Sequence, residues 1–152
     1  YFKDTTPDWS IRGKYRNQIY PMIEDAFSTN VKDNLLGLSR QSIEWNQLVT
    51  KELIEPFMNS INYGISSVRF NVEKYRDYPL CFWNVVFMKI FYHFNKNCPS
   101  RKGIQTFMKT IAYSHNHTLE NHYRYNGYAS ISKSCTCLVN MYDVKIDFKI
   151  QI

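Results

Sequence analysis

The stretch that decides the fold class is the C-terminal run Val144-Lys145-Ile146-Asp147-Phe148-Lys149-Ile150-Gln151-Ile152. Apolar and polar side chains alternate along this run, and successive side chains of a β-strand point to opposite faces of its sheet. Such alternation is typical of an antiparallel strand with one face on the core and the other in solvent. We therefore predict a strand over 144–152 that buries its apolar face.

Two further strands are predicted from similar patterns. Residues 130–139 form one, and the pair Asn126-Gly127 before it is typical of a type I′ turn. Residues 65–72 alternate in the same way and follow Gly64, which is expected to close the preceding helix. Antiparallel strands should therefore dominate the end of the chain.

Helical spacing of apolar residues marks the region before these strands. The clearest case is residues 41–62, with Ser39 or Ser42 as the N-cap and Pro56 as a kink or break. Pro21 is a suitable first residue for a shorter helix. The polar segment 1–18 is predicted to be irregular.

The segment from Cys81 to Phe94 is apolar nearly all round. It is predicted to be either a buried helix or a buried strand followed by a helix, and periodicity leaves both open. With the other elements this gives the α+β class, with N-terminal and central helices and a C-terminal antiparallel β-sheet. The 152 residues, 1–152, are most simply a single domain, since this length can bury a core unaided.

The charge balance favours acidic partners. Nineteen Lys and Arg outweigh thirteen Asp and Glu, for a net charge of +6, and such a balance suits nucleic acid, an anionic membrane surface or a glycosaminoglycan. No membrane span is expected, because Lys89 and His93 interrupt the longest apolar run before it reaches the roughly 20 residues that a span needs.

One segment strengthens the prediction of an acidic partner, because no carboxylate occurs between Asp77 and Glu120. This acid-free window holds five Lys and Arg, three histidines and nine aromatic residues. Cations neutralise phosphates and rings stack on bases, so the mixture is typical of a polyanion-binding face. The alternative is chance clustering in a basic protein whose rings are buried. Since 78–94 is too apolar for a surface, the exposed cationic face is predicted at 96–117.

Four cysteines, an even number, fit a secreted chain with up to two disulfides: Cys81, Cys98, Cys135 and Cys137. Were 81–98 a single helix, its ends would lie roughly 25 Å apart, and both bridges could not form together. Either the chain turns back through Pro99 or one bridge forms. A zinc site is the rival reading, but the sequence has no Cys-x2-Cys pair.

Secretion is also predicted from two other features. The chain begins at Tyr1 without a methionine, as either a cleaved signal peptide or a trimmed chain would leave it. Asn116-His117-Thr118 is a glycosylation sequon, usable at Asn116 in a secreted protein.

Familiar catalytic signatures are missing from the sequence, including a P-loop, a dinucleotide glycine fingerprint and a nucleophile elbow. The cluster His115, His117 and His122 is the remaining candidate for a metal or base site. On a strand, His115 and His117 would share one face. A solvated loop is the alternative, and no catalytic residue is predicted.

An ordered set of short motifs resembles a known family. Ser10-Ile11-Arg12-Gly13-Lys14 precedes Ala26-Phe27-Ser28-Thr29-Asn30-Val31, then Trp45, the run 78–86, and Asn126-Gly127-Tyr128 before the last two cysteines. This order resembles the DNA/RNA non-specific endonucleases of the ββα-metal class, especially the secreted arthropod forms. In that family a His activates water and an Asn holds magnesium.

The resemblance implies a nuclease-like protein without catalysis. Lys14 stands where the family has its catalytic His, and a lysine holds its proton near neutral pH. Asn30 matches the magnesium-binding Asn by position, so magnesium is possible and no other cofactor is expected. The chain departs from the family in the short spacing from Gly13 to Asn30, the missing Pro-Gln after the Asn and the missing N-terminal strands.

Two main hypotheses follow. The first is a secreted, nuclease-like protein that binds nucleic acid or another polyanion, with Trp45, Tyr92 and Tyr113 available for stacking. Its predicted phosphate contacts are Arg12, Lys14, Arg16, Lys96, Arg101, Lys102 and Lys109. The second is a secreted, disulfide-bonded binding or effector protein that engages a host or partner protein. A hydrolase that uses the histidine cluster ranks behind both.

Overall fold

The structure is a computed structural model that describes residues 7–28, 30–121 and 126–149, without the side chains of 118–121. It confirms the α+β class, with N-terminal and central helices and an antiparallel sheet. Contacts group the chain into two compact units, Tyr1–Val49 and Thr50–Ile152. The single domain stays a prediction.

The first unit is helical. It contains α1 (Ile11–Lys14), a π-helical segment (Tyr15–Ile19), α2 (Tyr20–Phe27) and α3 (Val31–Val49). Pro21 lies in the first turn of α2, as predicted. The irregular segment predicted over 1–18 is wrong where it overlaps α1 and the π-helical segment. Helix α1 and the π-helical segment bury only Gly13. They therefore lack the buried apolar face by which a helix is recognised in a sequence.

The helix predicted over 41–62 begins earlier and is interrupted. Ser39 and Ser42 lie inside α3 and are not N-caps. After α3 come a π-helical segment (Thr50–Ile54) and α4 (Glu55–Asn59). Pro56 lies in the first turn of α4, directly after the π-helical segment. The long helix is therefore divided next to Pro56, in agreement with the predicted kink or break.

The second unit contains a five-stranded antiparallel sheet of order β1-β2-β5-β4-β3. The strands are β1 (Asn62–Tyr63), β2 (Ser67–Asn71), β3 (Asn126–Ala129), β4 (Cys135–Asn140) and β5 (Asp143–Phe148). The alternation that predicts β5 is confirmed, because Val144, Ile146 and Phe148 are buried. Residues 150–152 lie outside the described residues.

The turn predicted at Asn126-Gly127 is wrong. Both residues belong to β3, where Asn126 pairs with Asn140 and Gly127 with Val139. Among the described residues no glycine has a positive φ, although a type I′ turn requires one. The chain instead reverses between β3 and β4 over residues 130–134, so the predicted strand 130–139 begins later, at Cys135.

Two helices complete the second unit, α5 (Leu80–His93) and α6 (Arg101–Asn121). Because α5 is continuous, the apolar segment from Cys81 to Phe94 is a buried helix and not a strand followed by a helix. Phe107 of α6 lies 4.8 Å from Phe87 and 6.4 Å from Phe70 of β2, measured between ring centroids. These rings join both helices to the sheet in one core. Among the described residues no helix is long and apolar enough to cross a membrane.

Candidate polyanion-binding site

A cavity of about 910 Å³ opens in the second unit where three segments meet. Residues 95–100 after α5, the first turns of α6 and the loop 130–134 between β3 and β4 line it, together with Lys149 after β5. We call it the lysine cavity, because four lysines line it: Lys96, Lys102, Lys133 and Lys149.

The charges of the lysine cavity are of one sign. Its four lysines come from three stretches of the chain, 95–106, 130–134 and Lys149, and no Asp or Glu is among the residues that line it. Like charges that converge in a concave site raise the local positive potential and concentrate anions there. Serine hydroxyls and Asn95 and Asn97 amides add neutral hydrogen-bonding groups.

The end of α5 positions Lys96. Asn95 adopts a left-handed backbone conformation with φ 51°, which Asn tolerates better than most residues. The Asn95 N–H donates to the Tyr92 carbonyl at 3.0 Å, and the Lys96 N–H donates to the Phe91 carbonyl at 2.9 Å. These bonds close the helix C-terminus and turn the chain toward the cavity wall.

The start of α6 forms the next part of the wall. The Ser100 hydroxyl accepts a hydrogen bond from the Gly103 N–H at 3.2 Å, and the Ser100 carbonyl accepts one from Ile104 at 3.1 Å. Ser100 is therefore the N-cap of this helix. Because Lys102 lies in the first turn, its charge adds to the partial positive charge of the helix N-terminus.

Gly103 brings the loop 130–134 against α6. A Cβ atom on Gly103 would lie 2.2 Å from the carbonyl oxygen of Ile131, so only glycine fits without a shift. Ile131 is buried. The hydroxyls of Ser132 and Ser134 lie 2.9 Å apart and the Ser134 N–H donates to Ser132 Oγ. The loop carrying Lys133 is thereby fixed on both sides.

Lys149 is held to the same loop, because its N–H donates to the Ser134 carbonyl at 2.9 Å. Nearby Cys135 is buried, and burial raises the pKa of its thiol to about 11, with the Lys149 charge opposing the rise. Burial also raises the pKa of the Cys98 thiol, which lines the cavity.

The structure brings together two of the seven predicted phosphate-binding cations, Lys96 and Lys102. Arg101 and Lys109 are exposed on α6 but do not line the cavity. In the first unit, three more are exposed: Arg12, Lys14 and Arg16.

Sequence reasoning missed Lys133 and Lys149. Both occur in segments predicted as strands, where a lysine is the ordinary residue for a solvent face. The signal that singles them out is spatial, since the loop and the end of β5 meet only in the folded sheet. Of the stacking candidates, Tyr92, Tyr113 and Trp45 are all exposed.

The predicted disulfides are absent from the structure, in which all four cysteines are free thiols. Cys135 and Cys137 are buried on the same face of β4, while Cys81 and Cys98 are exposed outside the sheet. Asn116 is exposed on α6, and its glycosylation stays a prediction.

The histidine cluster is not on a strand, because His115 and His117 lie on α6. His115 Nδ1 is 2.5 Å from the Tyr142 hydroxyl, which connects the helix to the β4–β5 turn. His122 lies outside the described residues. Asn30 is exposed, and among the described residues no three His, Cys, Asp or Glu side chains form a metal-binding group. Magnesium at Asn30 stays a prediction, since the resemblance assigns the metal to an Asn and such a group of three is not required for it.

Comparison of the chain with models of known families, with curated proteins and with solved structures gives no match.

Proposed function

We propose that this protein binds polyanions, with nucleic acid as the principal ligand, in the lysine cavity. The observation that carries this proposal is the convergence of four lysines from separate stretches of chain, without a carboxylate among the lining residues. Backbone phosphates are the ligand groups that such a site neutralises best.

The distribution of charge supports binding over a generic soluble surface. Soluble surfaces usually intersperse both signs of charge, and this chain has thirteen carboxylates with which to do so. The lysine cavity has none. Four lysines around one concavity, with no carboxylate among the lining residues, favour the binding of a polyanion there.

Salt dependence follows from the same charges. Each neutralised phosphate releases counterions, so four lysine contacts with a single strand give a log–log slope of about −3 for affinity against salt. Affinity should then fall roughly 50-fold between about 50 and about 200 mM salt.

The remaining parts of the sequence hypothesis stay proposals. We propose that the protein is secreted and nuclease-like without catalysis, because of the motif order and Lys14. Engagement of a host or partner protein is the alternative. The four free thiols of the structure lend no support to the predicted disulfides, from which both hypotheses drew part of the case for secretion.

A matched pair of charge variants tests the proposal. The first variant changes the four cavity lysines to Gln. The second makes the same change at four exposed cations elsewhere: Lys32, Arg40, Lys51 and Lys74. Both lose the same net charge. Fluorescence anisotropy with a labelled oligonucleotide, at several salt concentrations, should show the loss of most of the salt slope in the cavity variant only.

The control variant should keep nearly the whole salt slope of the wild-type protein, because the four residues changed in it lie outside the cavity. Equal loss in both variants would mean that net charge alone attracts the ligand. If the affinity of the wild-type protein did not change with salt concentration, the proposal would be contradicted outright.

A further inference from the structure

A second cavity, of about 540 Å³, meets the lysine cavity at Asn95, just after the end of α5. Asn95 lines both cavities. The second is built by α4, the end of β1 and the last turns of α5. We call it the ring cavity, because Tyr63, Tyr92 and His93 line it.

The rings of this cavity are accessible. Tyr92 is 81 % exposed, although a tyrosine ring is large and largely apolar. Tyr63 is 38 % exposed, and its ring centroid lies 4.4 Å from that of His93. No aromatic residue is among those that line the lysine cavity. The lysine cavity thus offers cationic contacts, and the ring cavity offers aromatic ones.

We propose that the two cavities form one groove for single-stranded nucleic acid, with backbone phosphates in the lysine cavity and an unstacked base against Tyr92 in the ring cavity. This inference rests on the proposed function of the lysine cavity and adds the strandedness of the ligand. Aromatic side chains next to a cationic groove are the common arrangement for single strands, because every base has a face that can stack.

The end of α5 fixes the distance between the two parts of the groove. Tyr92 and Lys96 are four residues apart, and the hydrogen bonds from Asn95 to Tyr92 and from Lys96 to Phe91 hold the turn between them. A ring and a cation held by the same helix end need little ordering when the ligand binds. Less lost conformational freedom means tighter binding for the same contacts.

The charges of the ring cavity agree with a nucleotide ligand. Lys89 and His93 line it, and Glu55 is its one carboxylate. A base is neutral, so this half of the groove does not need the uniform positive charge of the lysine cavity. Duplex DNA keeps its base faces stacked inside the helix, and a sulfated polysaccharide has no bases. Neither can use the Tyr92 ring in this way.

Abasic oligonucleotides separate the two contributions. The ligands are a labelled thymine strand of about ten nucleotides, an abasic strand with the same number of phosphates, and a duplex of the same length. The wild-type protein should bind the thymine strand roughly 5- to 150-fold more tightly than the abasic strand, the range of one base–aromatic stack. The duplex should gain no such advantage.

Two tyrosine variants assign this advantage to a residue. Tyr92→Leu keeps an apolar side chain but no ring, and it should abolish the difference between the thymine and abasic strands. Tyr128→Leu is the matched control, since Tyr128 is 71 % exposed on β3 and lines neither cavity. It should keep the wild-type preference.

The possible outcomes separate the single-strand inference from the proposed binding of polyanions. Equal affinity of the wild-type protein for thymine and abasic strands, or a preference that survives Tyr92→Leu, would overturn the single-strand inference and leave polyanion binding intact. Tighter binding of a sulfated polysaccharide than of either strand would also overturn it. Failure of every anionic ligand to bind would overturn the proposed function as well.

Discussion

Gly103 is the residue on which the shape of the lysine cavity depends most directly. Its missing side chain lets the carbonyl oxygen of Ile131 lie where a Cβ would otherwise be, at 2.2 Å. Backbone atoms cannot yield as a flexible side chain can. The contact therefore couples the first turn of α6 to the loop that carries Lys133.

Gly103→Ala should cost about 1–3 kcal/mol of unfolding free energy, because it overpacks a backbone contact. Gly37→Ala is the matched control. Gly37 lies in α3 with nothing within 4 Å of the added Cβ, so this change should stabilise by about 0.5–1 kcal/mol. Urea unfolding of both variants measures the difference. A neutral or stabilising Gly103→Ala would show that the loop does not touch the helix there.

Cys135 makes a second prediction at this scale, through the pKa of about 11 that burial gives its thiol in the folded protein. In the unfolded chain the thiol titrates near its ordinary value of 9.0. The folded state therefore holds the proton more tightly, so its contribution to stability is complete below about pH 9 and is lost as the pH rises through about 11.

Urea unfolding at a series of pH values measures this loss. Cys135→Ala should remove its share of the decline in stability between about pH 9 and about pH 11. A variant and a wild-type protein with parallel pH profiles would contradict the burial of the thiol. The comparison is needed because tyrosines and lysines titrate in the same range.

At the scale of elements, α6 matters most to the site, and the sequence did not predict it. Its cap, Ser100, follows Pro99, and Gly103 lowers the helical propensity of its first turn. His115 and His117 suggested a strand or a loop instead. Tertiary packing decides the matter, because Ile104, Phe107 and Ile111 recur at helical spacing and are all buried.

Other elements show where sequence patterns suffice. The alternation in β5 is a direct consequence of one-sided burial, and it was readable without partners. Asn126-Gly127 misled because a turn dipeptide and a strand residue pair cannot be told apart until β4 provides a partner. Lys133 and Lys149 were missed for the same reason, since their proximity is a property of the folded sheet.

Ser100→Ala tests the beginning of α6. Loss of the N-cap hydrogen bond to the Gly103 N–H should cost about 1 kcal/mol. Ser39→Ala is the control, because Ser39 was a predicted N-cap and lies inside α3. In a helix interior this change should raise the free energy of unfolding by roughly a few tenths of a kcal/mol, because alanine has the higher helix propensity. Thermal or urea unfolding would contradict the assignment if Ser39→Ala were the more costly of the two.

At the scale of the whole molecule, the proposed function combines an excess of cations over carboxylates with the fold of the second unit, which brings four lysines to one cavity. The sequence predicted the excess and the acid-free window. It did not predict that only Lys96 and Lys102 of that window would join two lysines from the sheet region. Net charge sets attraction at a distance, whereas convergence of side chains creates a site.

Lysine acetylation with and without a saturating single-stranded oligonucleotide tests that central claim most directly. Mass spectrometry reads the modification of each lysine in the unmutated chain. We predict slower acetylation at Lys96, Lys102, Lys133 and Lys149 when the strand is bound, and unchanged rates at Lys32, Lys51 and Lys74. Unchanged rates at the four cavity lysines, or equal protection of every lysine, would contradict the account.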